Sequence, residues 1–161
     1  MATTFNMSAE GIAFVKKELA RYETPYSAII PSLFFVQKEH GWVPPEAVPF
    51  LSKLMTLPEA HINEVLYFYT MFNTKPVGKF HVQVCTNISC SMNGGRELMQ
   101  AICKHYNVQE GEVSADGKVS VSRAECLGSC DTAPMLQVNK DSYLEGLTPE
   151  TAIKKLKEMG A

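Results

Sequence analysis

Two closely spaced pairs of cysteines constrain this chain more than any other feature of its sequence. Four residues separate Cys85 from Cys90, three separate Cys126 from Cys130, and 35 residues lie between the two pairs. That interval has room for a helix and a strand, so the fold can bring all four side chains together. A site with only sulfur ligands is typical of zinc or of an iron–sulfur cluster. Disulfides, or four unrelated buried cysteines, are the chemical alternatives.

The composition of the chain bears on which of these alternatives applies. Its 161 residues suffice for one large domain or two small ones, 45% of them are hydrophobic, and the formal net charge is −2. These values are typical of a soluble globular protein, with no basic face for nucleic acid. No apolar run approaches the ~20 residues of a membrane span, and the first residues lack the features of a signal peptide. We therefore expect a reducing cytoplasm, where structural disulfides are rare.

The number and spacing of the cysteines favour metal binding over redox exchange of thiols. The chain has five cysteines, so ligation by four leaves Cys103, which we expect to be a packed small hydrophobe. A thiol–disulfide exchange site needs Cys-x-x-Cys at a helix start, which neither pair provides. Zinc and [2Fe–2S] are both permitted by the spacing. A negatively charged cluster needs close N–H and hydroxyl donors, and small or hydroxyl residues near the pairs favour it: Gly94, Gly95, Gly128, Thr86, Ser89, Ser91 and Ser129.

Apolar residues recur at helical spacing throughout the first half of the chain. The pattern predicts four helices: one after Ser8, one over residues 27–40, one after the turn at 42–46, and one beginning at Pro58. Pro31 should fix or kink the start of the second helix, and Gly41 should end it. The fourth helix ends in an aromatic cluster of Tyr67, Phe68, Tyr69 and Phe72. Either these rings pack in the core, or they form a docking surface for another protein.

The second half changes to a pattern of alternating strands. Residues 73–79 read as a linker, because they are polar and contain Pro76 and Gly78. Strands are predicted from Phe80 and Val119 towards the two cysteine pairs, and over 135–138 and 142–145, with helices over 95–106 and after Thr148. The β-α-β unit should be parallel and right-handed. The fold class is therefore α+β, with a helical bundle at 1–72 followed by a thioredoxin-like α/β domain at 80–161.

Several stretches resemble one known family. They are residues 81–90 and 125–134 around the cysteines, 138–139, and the helical stretches 28–31, 37–44 and 65–72. The chain closely resembles the family of small thioredoxin-like [2Fe–2S] subunits of the NADH dehydrogenase module of respiratory complex I, an NADH:quinone oxidoreductase. The resemblance runs from about Phe14 to Lys157 and shows no departure at the four ligand positions.

The resemblance implies an electron carrier that depends on partners. One [2Fe–2S] cluster would be bound by Cys85, Cys90, Cys126 and Cys130, and would exchange single electrons with FMN on an NADH-binding flavoprotein. The chain shows no catalytic residues and no dinucleotide fingerprint, so we expect no NADH or FMN site of its own. Residues 1–72 would dock the partner. The resemblance implies a place in a larger respiratory complex, at the cytoplasmic face of a membrane and without insertion into it.

Other interpretations remain open from the sequence. The same type of subunit resembles parts of NAD-reducing hydrogenases and NAD-linked formate dehydrogenases. A zinc-stapled interaction module with no redox role is the alternative from a different class. A Rieske-type site would use histidines, and His81 lies four residues before Cys85. With four cysteines present, a strand or surface role is the expectation for His81.

Overall fold

The computed structural model describes residues 5–161. The chain divides between Pro76 and Val77 into two compact units, which we call the helical unit and the sheet unit. The predicted linker at 73–79 spans this division. The predicted domain boundaries, and the docking role given to residues 1–72, stay predictions, and the first four residues of that range lie outside the described residues.

The helical unit contains the four helices that the sequence predicts. Ser8 caps the first helix, because its hydroxyl oxygen accepts a hydrogen bond from the Gly11 N–H at 2.9 Å. Gly41 ends the second helix with φ of +80°, a conformation that glycine adopts freely. The helices are α1 (Ala9–Arg21), α2 (Ile29–His40), α3 (Ala47–Met55) and α4 (Glu59–Phe68).

Local differences from the predicted helices have simple causes. A separate 3-10 turn, Pro25–Ala28, precedes α2, so the segment predicted to begin at Ser27 is divided in two. Pro31 is the third residue of α2, where a missing N–H costs nothing because the first turn has no intrahelical acceptor for it. Pro45, expected near the first position of the third helix, lies two residues before α3 begins.

Burial separates the members of the aromatic cluster at the end of α4. Phe72 is 6% exposed and packs in the core of the helical unit, whereas Tyr67 is 70% and Phe68 is 77% exposed. Tyr69 is also exposed. Core packing therefore accounts for Phe72 alone, and three adjacent aromatic side chains remain at the surface.

The sheet unit has four strands in the order β2-β1-β3-β4. Strands β1 and β2 pair in parallel, as predicted for the β-α-β unit, while β3 is antiparallel to both β1 and β4. The handedness of the crossover stays a prediction. The elements are β1 (Phe80–Cys85), α5 (Ile88–Met92), α6 (Gly95–Tyr106), β2 (Val119–Ala124), a 3-10 turn (Cys130–Thr132), β3 (Leu136–Val138), β4 (Ser142–Leu144) and α7 (Pro149–Glu158).

The two faces of the parallel strands β1 and β2 differ in polarity. Val82 and Val121 are fully buried and pack with Leu98 of α6 and Leu156 of α7 in one core. His81 precedes Val82 on β1, and Ser120 precedes Val121 on β2. Because successive side chains of a strand alternate between faces, His81 and Ser120 point to the opposite face of the sheet. Among the helices of residues 5–161, none has both the length and the apolar character that crossing a membrane requires.

Candidate metal centre

The two cysteine pairs begin at the carboxyl ends of neighbouring parallel strands. Cys85 is the last residue of β1 and lies beside Ala124, the last residue of β2. Cys126 follows Ala124 by two residues. Because parallel strands end at the same edge of a sheet, this arrangement brings the start of both pairs to one edge of the sheet unit, as the sequence predicts.

Cys85 and Cys90, which we call the inner pair, are buried. They are 3% and 2% exposed and form a small apolar cluster with Met135, which is fully buried. Cys90 lies on α5, a short helix that the sequence pattern does not predict. The Asn87 side-chain oxygen accepts a hydrogen bond from the Ile88 N–H at 2.8 Å, which caps this helix.

Gly95 packs directly against the backbone of the inner pair. A Cβ atom at this position would lie 2.8 Å from the carbonyl oxygens of both Cys85 and Cys90. No side chain fits in that space without moving the backbone, so glycine allows α6 to begin directly against the site. The inner pair is therefore held between a strand, a short helix and the first residue of a long helix.

Cys126 and Cys130, the outer pair, lie in an exposed loop. Gly128 between them has φ of +81°, and its N–H points to the Cys126 sulfur at a distance of 3.4 Å. Cys130 begins the 3-10 turn. This loop therefore supplies two exposed cysteines and a backbone N–H that donates to the sulfur of one of them.

The thiols of the two pairs influence one another. Burial, and next the neighbouring Cys85 thiol, raise the pKa of Cys90 to about 11, while a hydrogen bond from the Met135 backbone acts in the opposite direction. The pKa of the Cys130 thiol is raised above its ordinary value, chiefly by the charge of nearby Cys126, with Cys85 contributing as well. Charge on one thiol thus disfavours charge on its neighbours, both within each pair and between Cys85 and Cys130.

The donor set consists of thiols alone, the ligand type that iron–sulfur groups use. Within residues 5–161, no three His, Cys, Asp or Glu side chains converge closely enough to hold a single metal ion. The arrangement consists of two thiol pairs instead. Thiolates that disfavour each other's charge are stabilised when cations lie between them, and cysteine ligands lose their protons on binding metal.

The hydroxyl groups near the cysteines hold the loops together. Ser91 Oγ donates to the Thr86 carbonyl oxygen at 2.8 Å, within the inner loop. Ser89 Oγ donates to the Cys130 carbonyl oxygen at 3.0 Å, between the two loops. Ser129 interacts with Thr132 and Glu145. The sequence pattern predicts these hydroxyls as donors close to a charged cluster, whereas their hydrogen bonds in the structure go to neighbouring protein oxygens.

Cys103 and His81 lie away from the pairs. Cys103 is half-buried on α6 and packs against the core of the sheet unit, which raises the pKa of its thiol. His81 Nδ1 lies 2.8 Å from Ser120 Oγ and Nε2 lies 3.3 Å from Ser122 Oγ. Burial, and next the charge of Lys140, lower the pKa of His81 to about 4. Both ring nitrogens are occupied by hydroxyl partners, so His81 has the role of a neutral strand residue.

The sequence analysis does not predict that Ser120 and Ser122 are hydrogen-bond partners of His81. A usable signal was present, because Ser120 and Ser122 alternate with buried valines on a strand that is predicted to pair with β1. The register places Ser120 directly beside His81. Alternation of serine and valine predicts which face of β2 the serines occupy. It does not define the register with β1, so it could not identify Ser120 as the partner of His81.

Comparison with known proteins identifies the family to which the sequence is similar. The family model described as "Thioredoxin-like [2Fe-2S] ferredoxin" matches residues 15–160. A subunit of the NADH-quinone oxidoreductase of Rickettsia bellii is 38% identical over 151 residues, covering 92% of this chain and 90% of the relative. NADH-quinone oxidoreductase subunit 2 of Thermus thermophilus is 39% identical over 137 residues, covering 84% of this chain and 76% of the relative.

Solved structures show the same fold in a different protein. An NAD+-reducing [NiFe]-hydrogenase in its air-oxidised state superposes with a TM-score of 0.65 at 22% sequence identity. The match covers 79% of this chain but only 23% of that chain. At this level of identity the likeness concerns the fold alone.

Proposed function

This chain belongs to the thioredoxin-like [2Fe–2S] ferredoxin family, and from that membership we propose that Cys85, Cys90, Cys126 and Cys130 bind one [2Fe–2S] cluster. Each pair holds one iron, because a short loop chelates a single ion with little strain. The observation that carries the proposal is the placement of the two thiol pairs at the carboxyl ends of neighbouring parallel strands. When bound, such a cluster accepts and returns one electron at a time.

The proposed function is that of an electron-carrying subunit in the NADH dehydrogenase module of complex I. Two relatives with close to 40% identity, aligned over most of their own length, carry the name of that oxidoreductase. NADH delivers two electrons as a hydride, so a flavin has to stand between NADH and a one-electron carrier. This sequence has no dinucleotide fingerprint, and the flavin therefore belongs to a partner flavoprotein, at the cytoplasmic face of the membrane complex.

The residues around the cysteines have distinct tasks in this proposal. Burial of the inner pair excludes water from one side of the site, and Gly128 directs its N–H at Cys126. Fixed donors of this kind favour the added negative charge of the reduced state. Exposure of the outer pair leaves the other side open for electron exchange with a partner.

Electron paramagnetic resonance under anaerobic conditions tests this function. NADH alone should leave the protein without a reduced-cluster signal, and NADH with the flavoprotein partner should produce one. A signal from the isolated protein, with no flavin present, would contradict the proposal. Colour separates the zinc alternative, since a [2Fe–2S] protein is reddish-brown and bleaches with dithionite, whereas a zinc protein is colourless.

Two exposed apolar surfaces are evidence that the protein binds a partner. The first is the aromatic end of α4, with Tyr67 and Phe68. The second is formed by Ile88 and Met92, which lie one turn apart on α5, on either side of Cys90, and are exposed. Large apolar side chains in contiguous exposed positions are typical of protein interfaces. We place the flavoprotein on both surfaces.

Paired substitutions test these surfaces separately. Tyr67→Ala with Phe68→Ala, and Ile88→Ser with Met92→Ser, should each weaken binding to the flavoprotein by roughly tenfold or more, and leave the iron content unchanged. Tyr143→Ala is the matched control, because Tyr143 is an exposed aromatic of β4. Unchanged affinity in either double variant would remove that surface from the interface.

A further inference from the structure

Beyond the end of the sheet, a side chain links the loops that carry the two cysteine pairs. Ser89 lies on α5, immediately before Cys90, and its hydroxyl donates to the carbonyl oxygen of Cys130 at 3.0 Å. The sheet edge itself is closed by backbone hydrogen bonds from the N–H of Cys85 to Met135 and of Thr86 to Ala124, both 3.1 Å. The Ser89 bond lies farther along both loops than either of these.

The two loops differ in how firmly the rest of the fold holds them. The inner loop is held by buried contacts, by Gly95 against its backbone, and by the Ser91 hydrogen bond to Thr86. In the outer loop both cysteines are exposed, and between Ala124 and the 3-10 turn only the partly buried Leu127 packs against the cluster of the inner pair. The Ser89 hydrogen bond differs from that packing because it joins the firm loop to the backbone of Cys130 itself.

We infer that Ser89 is a positioning residue for the metal centre: its hydroxyl fastens the outer loop at Cys130 to helix α5 and thereby sets the distance between the two cysteine pairs. The residue acts through the backbone of a ligand and does not contact metal itself, as is common for groups that orient ligands from behind. The inference rests on the proposed assignment of the four cysteines as ligands.

The matched comparison is between the two serines that flank Cys90. Ser89 and Ser91 lie on the same short helix, both are half-buried, and their hydroxyls donate to backbone carbonyls at 3.0 and 2.8 Å. The Ser89 bond crosses between the loops, and the Ser91 bond stays within the inner loop. Ser89→Ala and Ser91→Ala thus remove similar bonds, and only the first removes a link between the two loops.

Release of iron to a chelator from the loaded protein is the measurement. Ser89→Ala should assemble the cluster but release iron roughly three- to tenfold faster than the wild type, the range expected for one partly exposed hydrogen bond. Ser89→Thr keeps the hydroxyl and should restore the wild-type rate, and Ser91→Ala should stay within twofold of it. The resonance line shape of the reduced cluster should change in Ser89→Ala alone, because it depends on the geometry of the site.

The outcomes distinguish this inference from the assignment of the ligands. If the wild type binds no iron and sulfide, the proposed cluster fails and the inference fails with it. If the wild type holds the cluster and Ser89→Ala releases iron at the wild-type rate, the positioning role alone is wrong. Equal acceleration in Ser89→Ala and Ser91→Ala, or no recovery in Ser89→Thr, would also overturn it, since both results describe general loosening of α5.

Discussion

The inner and outer cysteine pairs have the same chemistry and opposite surroundings. Cys85 ends the strand β1, Cys90 lies on the helix α5, and both are buried with Met135. The outer pair lies in a loop that is open to solvent. The difference shows that one half of the site is built into a small buried cluster at the end of the sheet, and the other into an exposed loop beside it. Loss of an inner cysteine should therefore affect folding, and loss of an outer cysteine only metal binding.

Replacement of the cysteines tests this difference most strongly. Each of Cys85→Ser, Cys90→Ser, Cys126→Ser and Cys130→Ser should abolish a stable cluster, seen as loss of iron and acid-labile sulfide. The inner variants should also lower the free energy of unfolding of the metal-free protein by about 1–3 kcal/mol, because a hydroxyl replaces a buried thiol. The outer variants should change it by about 0.5 kcal/mol or less.

Cys103→Ser is the control for the cysteine series. Cys103 lies on α6 against the core and away from both pairs, so its variant should keep the full content of iron and sulfide. Loss of the cluster in Cys103→Ser, or its retention in any two of the other four variants, would refute the ligand assignment. Equal destabilisation by inner and outer variants would refute the distinction between the pairs.

The pH dependence of stability tests the contact of His81 with β2, the strand that leads to the outer pair. His81 on β1 is joined to Ser120 and Ser122 on β2, and burial, with Lys140 nearby, lowers its pKa to about 4. Since the folded-state pKa lies below the unfolded value of 6.5, the fold favours the neutral ring. That stabilisation is fully present above pH 6.5 and is lost as the pH falls from 6.5 through about 4. The total loss is up to ~3 kcal/mol of unfolding free energy.

A variant isolates this contribution from that of other groups. Chemical unfolding of the wild type and of His81→Gln should be measured between pH 7 and pH 4. The wild type should lose more stability over this range than the variant, by about 2–3 kcal/mol. Parallel pH profiles would mean that His81 is not held neutral between β1 and β2.

Two glycines give a smaller and directly matched comparison. Gly95→Ala places a Cβ 2.8 Å from two carbonyl oxygens of the inner pair and should destabilise the protein by about 1–3 kcal/mol, with faster loss of iron. Gly128→Ala in the outer loop meets no atom within 4 Å and carries only the strain of a φ of +81°, about 1 kcal/mol. Thermal unfolding and iron release measure both. A Gly128 variant that is the more damaging of the two would reverse the comparison.

The parts of this fold that follow from the sequence are those with long periodic patterns. Helix α6 is predicted with its observed bounds, because Leu98 and Ile102 mark its apolar face and Gly94 precedes it. The strands β1 and β2 are predicted from alternation with valines, and their parallel pairing from the helix between them. The convergence of Cys85 and Cys126 then follows from topology alone.

The parts that the sequence does not predict depend on contacts between distant residues. Helix α5 has five residues, too few to show a period, and its place is fixed by Gly95 and the packing of Cys90. The exposure of Tyr67 and Phe68 could not be distinguished from burial, because aromatic residues serve both roles. The Ser89 hydrogen bond joins residues 41 positions apart, and no local pattern reports such a pair.

The linker between the two units is fastened at both of its ends. Gln37 binds the Met71 carbonyl oxygen and the Asn73 N–H at one end, and the Gly78 N–H binds Ser120 at the other. The stretch between Asn73 and Gly78 spans at most roughly 17 Å when extended. A tether this short keeps each unit at an effective concentration in the millimolar range near a partner that the other has bound. Where a partner contacts both units, as proposed, binding of one unit favours binding of the other, and inserting about ten Gly and Ser residues after Pro76 should weaken binding a few-fold. Unchanged binding would mean that a single unit contacts the partner.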